Sequence, residues 1–422
     1  MADQTPTKNN VDLSYWMHHA VPPLLALLRA TGTYSAAEQG EHIRFLCDNV
    51  LPHLGPRPTK DSPANSPLTP SGSPLDLSLN FDAGRPMVRY CWEPMGAENP
   101  KDGNMYTDGT LRRCLASLSA ELGFSRRWCD ALMDALVPTT EEANTAQQNI
   151  QAWQSSQLPA GVTPRLLTRL PFSALAFNLD GSRTSAKFYL SPTVKEMGSG
   201  KSMNETVWNV LRRLQPPISE EAIKTISQFL QDIPGLGNVG MISVDLVKEE
   251  ELSRARVKIY MSITSNSFNT VRQCMTVGGL RQDETTLESL EILRSIWHLL
   301  LQEEEAIADD FETPVKDVSK MAAKLFLCLD VTPGQDLPSP KLHVPVFNYL
   351  KSDAEALRNF ETILQKCNQG WAAEGKHRAA FETAFGDPSL DRGAPIHSYT
   401  SFSYGKSGVY QTLYFSLPTG ME

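Results

Sequence analysis

The chain has 422 residues, 41% of them hydrophobic, enough for one large domain or two to three ordinary ones. A formal charge of −9 argues against a general nucleic-acid or anionic-membrane surface. No run approaches the roughly 18 to 20 apolar residues of a membrane span, and the polar segment Met1 to Asp12 has no apolar signal core. The seven cysteines are odd in number and lack CxxC spacing, so they read as reduced thiols of a cytoplasmic protein, not as a disulfide frame or zinc site.

Helical and strand patterns then alternate along the chain. Tyr15 to Ala30 and Ser35 to Val50 read as helices, the second opening on a Thr-Tyr-Ser cap signal. A Pro/Ser/Gly loop leads to strands over Ser73 to Phe81 and Pro86 to Glu93. Helical periodicity covers Thr110 to Leu122, Ser125 to Leu136 and Glu141 to Gln154, before strands at Ala174 to Asn178 and Ser185 to Leu190. Helices at Glu205 to Leu214 and Ser219 to Gln231 precede strands at Met241 to Val247 and Arg254 to Ile263. Helices follow at Ser267 to Thr276 and Thr285 to Gln302, with strands at Ala323 to Asp330 and Lys341 to Phe347. The last unit has helices Ala354 to Lys366 and Gly370 to Phe385, and strands Ile396 to Tyr404 and Gly408 to Ser416. This order predicts an α+β fold of roughly five ααββ units, with about ten strands.

Hairpins arriving in series can close into a barrel, helices covering its apolar outside. The strand faces suit a polar lumen, since Asp76, Ser78 and Asn80 alternate with Leu75, Leu77 and Leu79. Arg254, Arg256, Lys258 and Tyr260 share one face, Lys187 stands two places before Tyr189, and Met87-Val88-Arg89-Tyr90 adds an arginine. If these faces share an interior, the cavity is cationic and lined with tyrosine, which suits a diphosphate. Two stacked α+β domains with polar strand faces in solvent give a similar alternation, so pattern alone leaves both architectures open.

Specific residues decide between them. Ser73-Pro-Leu-Asp-Leu-Ser-Leu-Asn80, Val88-Arg-Tyr, Glu93-Pro, Lys187-Phe-Tyr, Arg256-Val-Lys-Ile-Tyr260, Val277-Gly-Gly279 and Ser401-Phe-Ser-Tyr404 occur in one order along the chain. Together they resemble the signature segments of the fungal dimethylallyltryptophan synthase-type (indole) aromatic prenyltransferases, from about Trp16 to Phe415. The resemblance implies a single domain over residues 1–422 behind a flexible segment 1–12, folded as an antiparallel ten-stranded barrel (the ABBA or PT barrel). It implies dimethylallyl transfer from dimethylallyl diphosphate to an electron-rich aromatic carbon, with no cofactor and no obligatory magnesium. The implied partners are a prenyl diphosphate donor and a small aromatic acceptor; the sequence is silent on oligomeric state, a homodimer being one option.

Carried over residue by residue, the resemblance puts Arg89, Lys187, Arg256 and Lys258 on the diphosphate, with Lys341 adding a cation where the family often has glutamine. Tyr189, Tyr260, Tyr399 and Tyr414 match the aromatic shield of the allylic cation, and His343 replaces a further shield tyrosine. Asp76 stands where indole-using members carry a glutamate on the indole N–H; it would anchor the aromatic or take a phenolic proton. Leu68, Asp76, Ser173, Ser191 and Gly240 are the implied aromatic-substrate pocket. Enzymes using free tryptophan have an arginine near Gly240, a tyrosine near Ser191 and a lysine near Ser173. Their absence favours an indole-containing cyclic dipeptide or another indole alkaloid, with a phenolic polyketide or a non-catalytic isoprenoid-binding barrel as alternatives.

Two motifs are set aside. Gly198-Ser-Gly-Lys-Ser202 lacks the first glycine of a phosphate-binding loop, Lys195 standing there, and reads as a loop at a helix start. Asp309-Asp310 has Thr313 where a magnesium-binding aspartate motif would need its third carboxylate.

Overall fold

The computed structural model describes residues 8–82, 84–95, 108–157, 170, 172–315, 323–372, 375–405 and 408–419. Its helices are α1 (Lys8–Thr31), α2 (Ala36–Asn49), α3 (Gly109–Leu122), α4 (Arg127–Leu136), α5 (Thr140–Gln157), α6 (Thr193–Ser199), α7 (Asn204–Arg213), α8 (Glu220–Asp232), α9 (Phe268–Met275), α10 (Glu284–Leu300), α11 (Asp353–Lys366) and α12 (Lys376–Phe385). Its strands are β1 (Leu75–Asp82), β2 (Arg85–Trp92), β3 (Ser173–Asp180), β4 (Arg183–Leu190), β5 (Leu236–Leu246), β6 (Val257–Ile263), β7 (Leu325–Val331), β8 (Ser339–Val344), β9 (His397–Gly405) and β10 (Gly408–Ser416). Each hairpin follows two helices or, before β3 and β5, three.

All ten strands pair antiparallel with their chain neighbours, and β1 pairs with β10, closing the barrel. Closure leaves no sheet edge among them, which removes the usual site of edge-to-edge association. The register follows from alternation. Leu75, Leu77, Leu79 and Phe81 of β1 are fully buried under helices, as are Phe177 of β3, Phe188 of β4 and Val257 and Ile259 of β6. The other parity, carrying Asp76, Ser78 and Asn80, faces inward. Burying each large outward side chain contributes about 1.5 to 3 kcal/mol relative to exposure, so a one-residue slip of any strand is strongly disfavoured.

The jacket is fixed by caps and by polar pins. Ser35 forms a capping box with Glu38, and Ser219, Ser267, Asp283 and Ser352 accept backbone N–H groups at the starts of α8, α9, α10 and α11. The β2–β3 ladder holds only from Arg89 to Trp92. Beyond it, buried Tyr34 accepts from Val88 N–H at 2.9 Å and donates to Leu179 O at 2.6 Å, bridging the splayed strands.

Several boundaries differ from the sequence reading. Arg254 does not start a strand: Glu249–Arg254 is a 3-10 helix, and β6 begins at Val257. The glycine-lysine segment precedes the start of α7 at Asn204 as expected, but it also closes a helix the sequence reading lacked, Gly200 capping α6 in the left-handed conformation with φ 67°. Residues 8–12, expected to be flexible, already belong to α1, and residues 1–7 lie outside the described ones.

Candidate active site

The even-numbered strands run in one direction and the odd-numbered strands in the other. A cation followed two places later by a ring therefore produces the same vertical order on each even strand. Lys187 and Tyr189 on β4, Lys258 and Tyr260 on β6, and Lys341 and His343 on β8 repeat it three times. The lumen is thus tiered, with ammonium groups at one level and aromatic rings at the next.

The cation tier is compact. Lys187 Nζ donates to Asn178 Oδ1 at 3.1 Å, and Lys258 Nζ donates to Asp330. Arg256 Nε donates to Asp245 at 2.7 Å. Lys341 Nζ lies 4.0 Å from the centre of the Tyr410 ring, and the Arg89 guanidinium lies 5.4 Å from it. Burial, reinforced by Arg89 and Lys258, holds the Lys187 ammonium well below the usual lysine range. Burial and Lys258 also lower Lys341, against the pull of Tyr410. Burial alone would raise the Tyr410 phenol, but Lys341 and Arg89 outweigh it and bring the group below its ordinary value. The five expected cations therefore meet in one place, Arg89 delivered by β2, Lys187 by β4, Lys341 by β8, Lys258 by β6 and Arg256 by the position just before β6.

The ring tier forms a belt. Tyr189 and Tyr260 lie 6.1 Å apart, Tyr260 and His343 5.6 Å, His343 and Tyr414 6.2 Å, and Tyr414 and Tyr399 6.5 Å. Phe347 and Phe326 extend it beyond Tyr399 at 5.3 and 6.2 Å. Burial, aided by the neighbouring Lys341, drops the His343 imidazole to about 3, so it is neutral at pH 7.

On the far side of the belt lies Asp76. It pairs across the sheet with Cys91 and Ser416, and its Oδ1 accepts the Cys91 N–H at 3.2 Å. Burial raises its pKa well above the ordinary aspartate value, offset only in part by that bond. Ser191 and Gly240 adjoin one another, Ser191 Oγ donating to Gly240 O at 2.7 Å. Gly240 is the extra residue of a bulge, since Val239 and Met241 oppose the adjacent Met261 and Tyr260. Leu68 is half-buried in the loop before β1, its N–H on Ser66 Oγ at 3.2 Å. Ser173 is a correction: it stands opposite Leu190 in the jacket-facing parity, and Ala174, opposite Tyr189, faces the lumen in its place.

The lumen residues that escaped the sequence reading include Tyr410, Asn178, Asp245 and Asp330. Each lies on the polar parity of its strand, which was the available signal. Asp309 belongs elsewhere, bonded to Arg272 at 2.8 Å and Arg294 at 2.5 Å. Among the described residues, no three His, Cys, Asp or Glu side chains are grouped to hold a metal ion, no helix is long and apolar enough to cross a membrane, and all seven cysteines are free thiols.

Comparison with known proteins agrees with this geometry. Residues 12–379 match the family model described as tryptophan dimethylallyltransferase. The chain is 40% identical over 418 residues to the indole diterpene prenyltransferase terF of Tolypocladium album, covering 99% of this chain and 96% of that protein. It is 38% identical to the indole diterpene prenyltransferase ltmF of Epichloe festucae var. lolii, covering 98% and 94%. The crystal structure of AnaPT from Neosartorya fischeri superposes with a TM-score of 0.78 at 22% identity, covering 99% and 96%, and shows the same barrel. The chain belongs to the tryptophan dimethylallyltransferase family, and is with it a transferase of prenyl groups.

Proposed function

We propose that this protein transfers the dimethylallyl group of dimethylallyl diphosphate to an aromatic carbon of an indole diterpene, without an obligatory metal ion. The observation that carries the reading is the meeting of Arg89, Lys187, Arg256, Lys258 and Lys341 at one level of a closed lumen, with a belt of rings between them and Asp76. Charged donors are the strong ligands of phosphate oxygens. As the C1–O bond breaks, its electron pair moves onto the diphosphate, and the five cations stabilise the charge that develops there. The allylic cation left behind faces the π surfaces of Tyr189, Tyr260 and Tyr414, which stabilise it and exclude water. An aromatic carbon attacks to form the C–C bond, and loss of its proton restores aromaticity. In this reading the Asp76 carboxyl oxygen accepts the indole N–H and holds the ring beyond the belt.

An indole diterpene acceptor is supported by the two fungal relatives described above and by small residues at Ser191 and Gly240, where a Cβ on Gly240 would meet only Tyr260 O at 3.8 Å. The test is incubation of the purified protein with labelled dimethylallyl diphosphate and, in turn, an indole diterpene, an indole cyclic dipeptide, tryptophan and a hydroxynaphthalene, with and without EDTA. The expected result is labelled product with the indole diterpene that EDTA leaves unchanged. Turnover confined to the phenol, or abolished by EDTA and restored by magnesium, would overturn the acceptor or the metal half of the reading.

A further inference from the structure

Asp245 and Asp330 have no part in the chemistry above, yet each is the cross-strand partner of a lysine in the cation tier. Asp245 faces Lys187, and Asp330 faces Lys258. Their side chains are only 14% and 19% exposed. Asp245 takes Arg256 Nε at 2.7 Å, Nη2 at 3.3 Å and the Arg256 backbone N–H at 3.3 Å. Asp330 takes Lys258 Nζ and the Cys328 thiol, with Arg256 Nη1 at 3.9 Å. Burial acts to raise both pKa values, but Lys258 and Lys341 outweigh it for Asp330 and hold that group at about 2, while Arg256 outweighs it for Asp245 and keeps that carboxyl below its ordinary value.

Two consequences follow from Coulomb's law. Five like charges in one lumen repel, and two carboxylates among them keep the tier charged and ordered when it is empty. With all five cations protonated, the two carboxylates leave three net positive charges, equal in size to the charge of a fully ionised dimethylallyl diphosphate. The same carboxylates also occupy N–H groups that a phosphate would use, so they compete with the ligand. We propose that Asp245 and Asp330 are resident counter-ions of the diphosphate site, positioning Arg256 and Lys258 before the donor arrives and setting how loosely the diphosphate product is held. This rests on reading the tier as a prenyl diphosphate site. The carboxylates do not touch the reacting carbon. They act through the two cations, and their removal deepens the well in which inorganic diphosphate sits after turnover.

The experiment is calorimetric titration of inorganic diphosphate, in metal-free buffer, into the full-length protein and its Asp330→Asn, Asp245→Asn and Asp330→Glu variants, with steady-state kinetics in parallel. Each asparagine variant should bind diphosphate about fivefold or more tightly, with kcat and the KM for donor falling together because product release slows. Asp330→Glu should restore the wild-type affinity. A purely structural ion pair predicts weaker diphosphate binding or none of these shifts, and either result in folded variants overturns the proposal. If both asparagine variants fail to fold, as circular dichroism would show, the carboxylates serve folding and the proposal is likewise overturned. Wild-type protein that binds no diphosphate would instead reject the donor-site reading itself.

Discussion

Lys187→Met separates what the cation tier costs from what it does. Methionine keeps the unbranched stem of Lys187 and removes the ammonium that donates to Asn178 Oδ1 at 3.1 Å. That ammonium is held well below the usual lysine pKa by burial and by Arg89 and Lys258, so its charged form is destabilised in the empty lumen. Each tenfold loss of proton affinity makes the charged form about 1.4 kcal/mol less favourable, a penalty that an apolar side chain removes. Losing the bond to Asn178 offsets about 1 kcal/mol of that, and Asn178 Nδ2 keeps its own bond to Ser185 Oγ at 3.0 Å. The net expectation is a variant more stable than wild type. In catalysis the balance reverses, because a charge-assisted hydrogen bond to phosphate is worth about 1.5 to 3 kcal/mol, or about a 10- to 150-fold loss of kcat/KM for dimethylallyl diphosphate. Urea denaturation reads the first quantity better than melting, since a chain this long shifts only about 1 °C per kcal/mol. The pH dependence supplies a second check. Native Lys187 loses its proton at a lower pH than the unfolded side chain, so the unfolded state binds more protons between the two values and stability rises with pH there. The variant should lack that rise. A Lys187→Met protein that is less stable than wild type and retains full kcat/KM would refute the reasoning.

Other perturbations address the remaining tiers. Asp76→Asn should lower kcat/KM for the aromatic acceptor by about 10-fold or more while leaving the KM for donor unchanged, because its carboxyl lies beyond the ring belt. Native Asp76 keeps its proton above the roughly 3.9 of an unfolded aspartate, so stability falls as pH rises through its elevated value; Asp76→Asn should flatten that decline in urea midpoints. His343→Phe should flatten the opposite slope: the native imidazole titrates at about 3, and the unfolded one at about 6.5. Wild-type stability from this group is therefore full above about 6.5 and is lost as pH falls towards 3. Gly240→Leu should fold, since its Cβ meets only Tyr260 O at 3.8 Å, and should shift the kcat/KM ratio of a small indole over an indole diterpene by about tenfold.

Most elements were legible because alternation and helical periodicity act over a few residues. What alternation cannot supply is partners. Pairing of Asp76 with Ser416 closes the barrel across 340 positions of the chain, and only that closure turns polar strand faces into one lumen. Asp245 and Asp330 read as solvated strand acids until their registers place them opposite Lys187 and Lys258. Tyr410 shares a face with Tyr414, but its role depends on Arg89 and Lys341 arriving from other strands. Ser173 shows the opposite hazard: a one-residue uncertainty in parity moves a side chain through the wall, from lumen to jacket. Arg254 continues the alternation of β6 in sequence and still lies outside it, because Glu249 to Arg254 turn as a 3-10 helix. The seven-residue α6 is too short to show a period, and its Gly-Ser-Gly ending resembles a loop.

The separation of tiers is a consequence of strand direction more than of any single residue. An antiparallel barrel with an even number of strands divides into two sets, each pointing one way. A two-residue spacing from cation to ring, repeated on β4, β6 and β8, must then put every ammonium on one side of every ring. On the odd strands the order reverses, so Asp245 and Asp330 reach the cation tier from the opposite direction. On the chemistry proposed above, ionisation is confined to one level and capture to the next, and a released allylic cation moving away from the diphosphate meets π faces before it reaches Asp76. Changing the spacing on any one of those strands by a single residue would send its cation into the helical jacket, where burial without a partner would cost several kcal/mol. The chemistry and the fold therefore constrain the same periodicity.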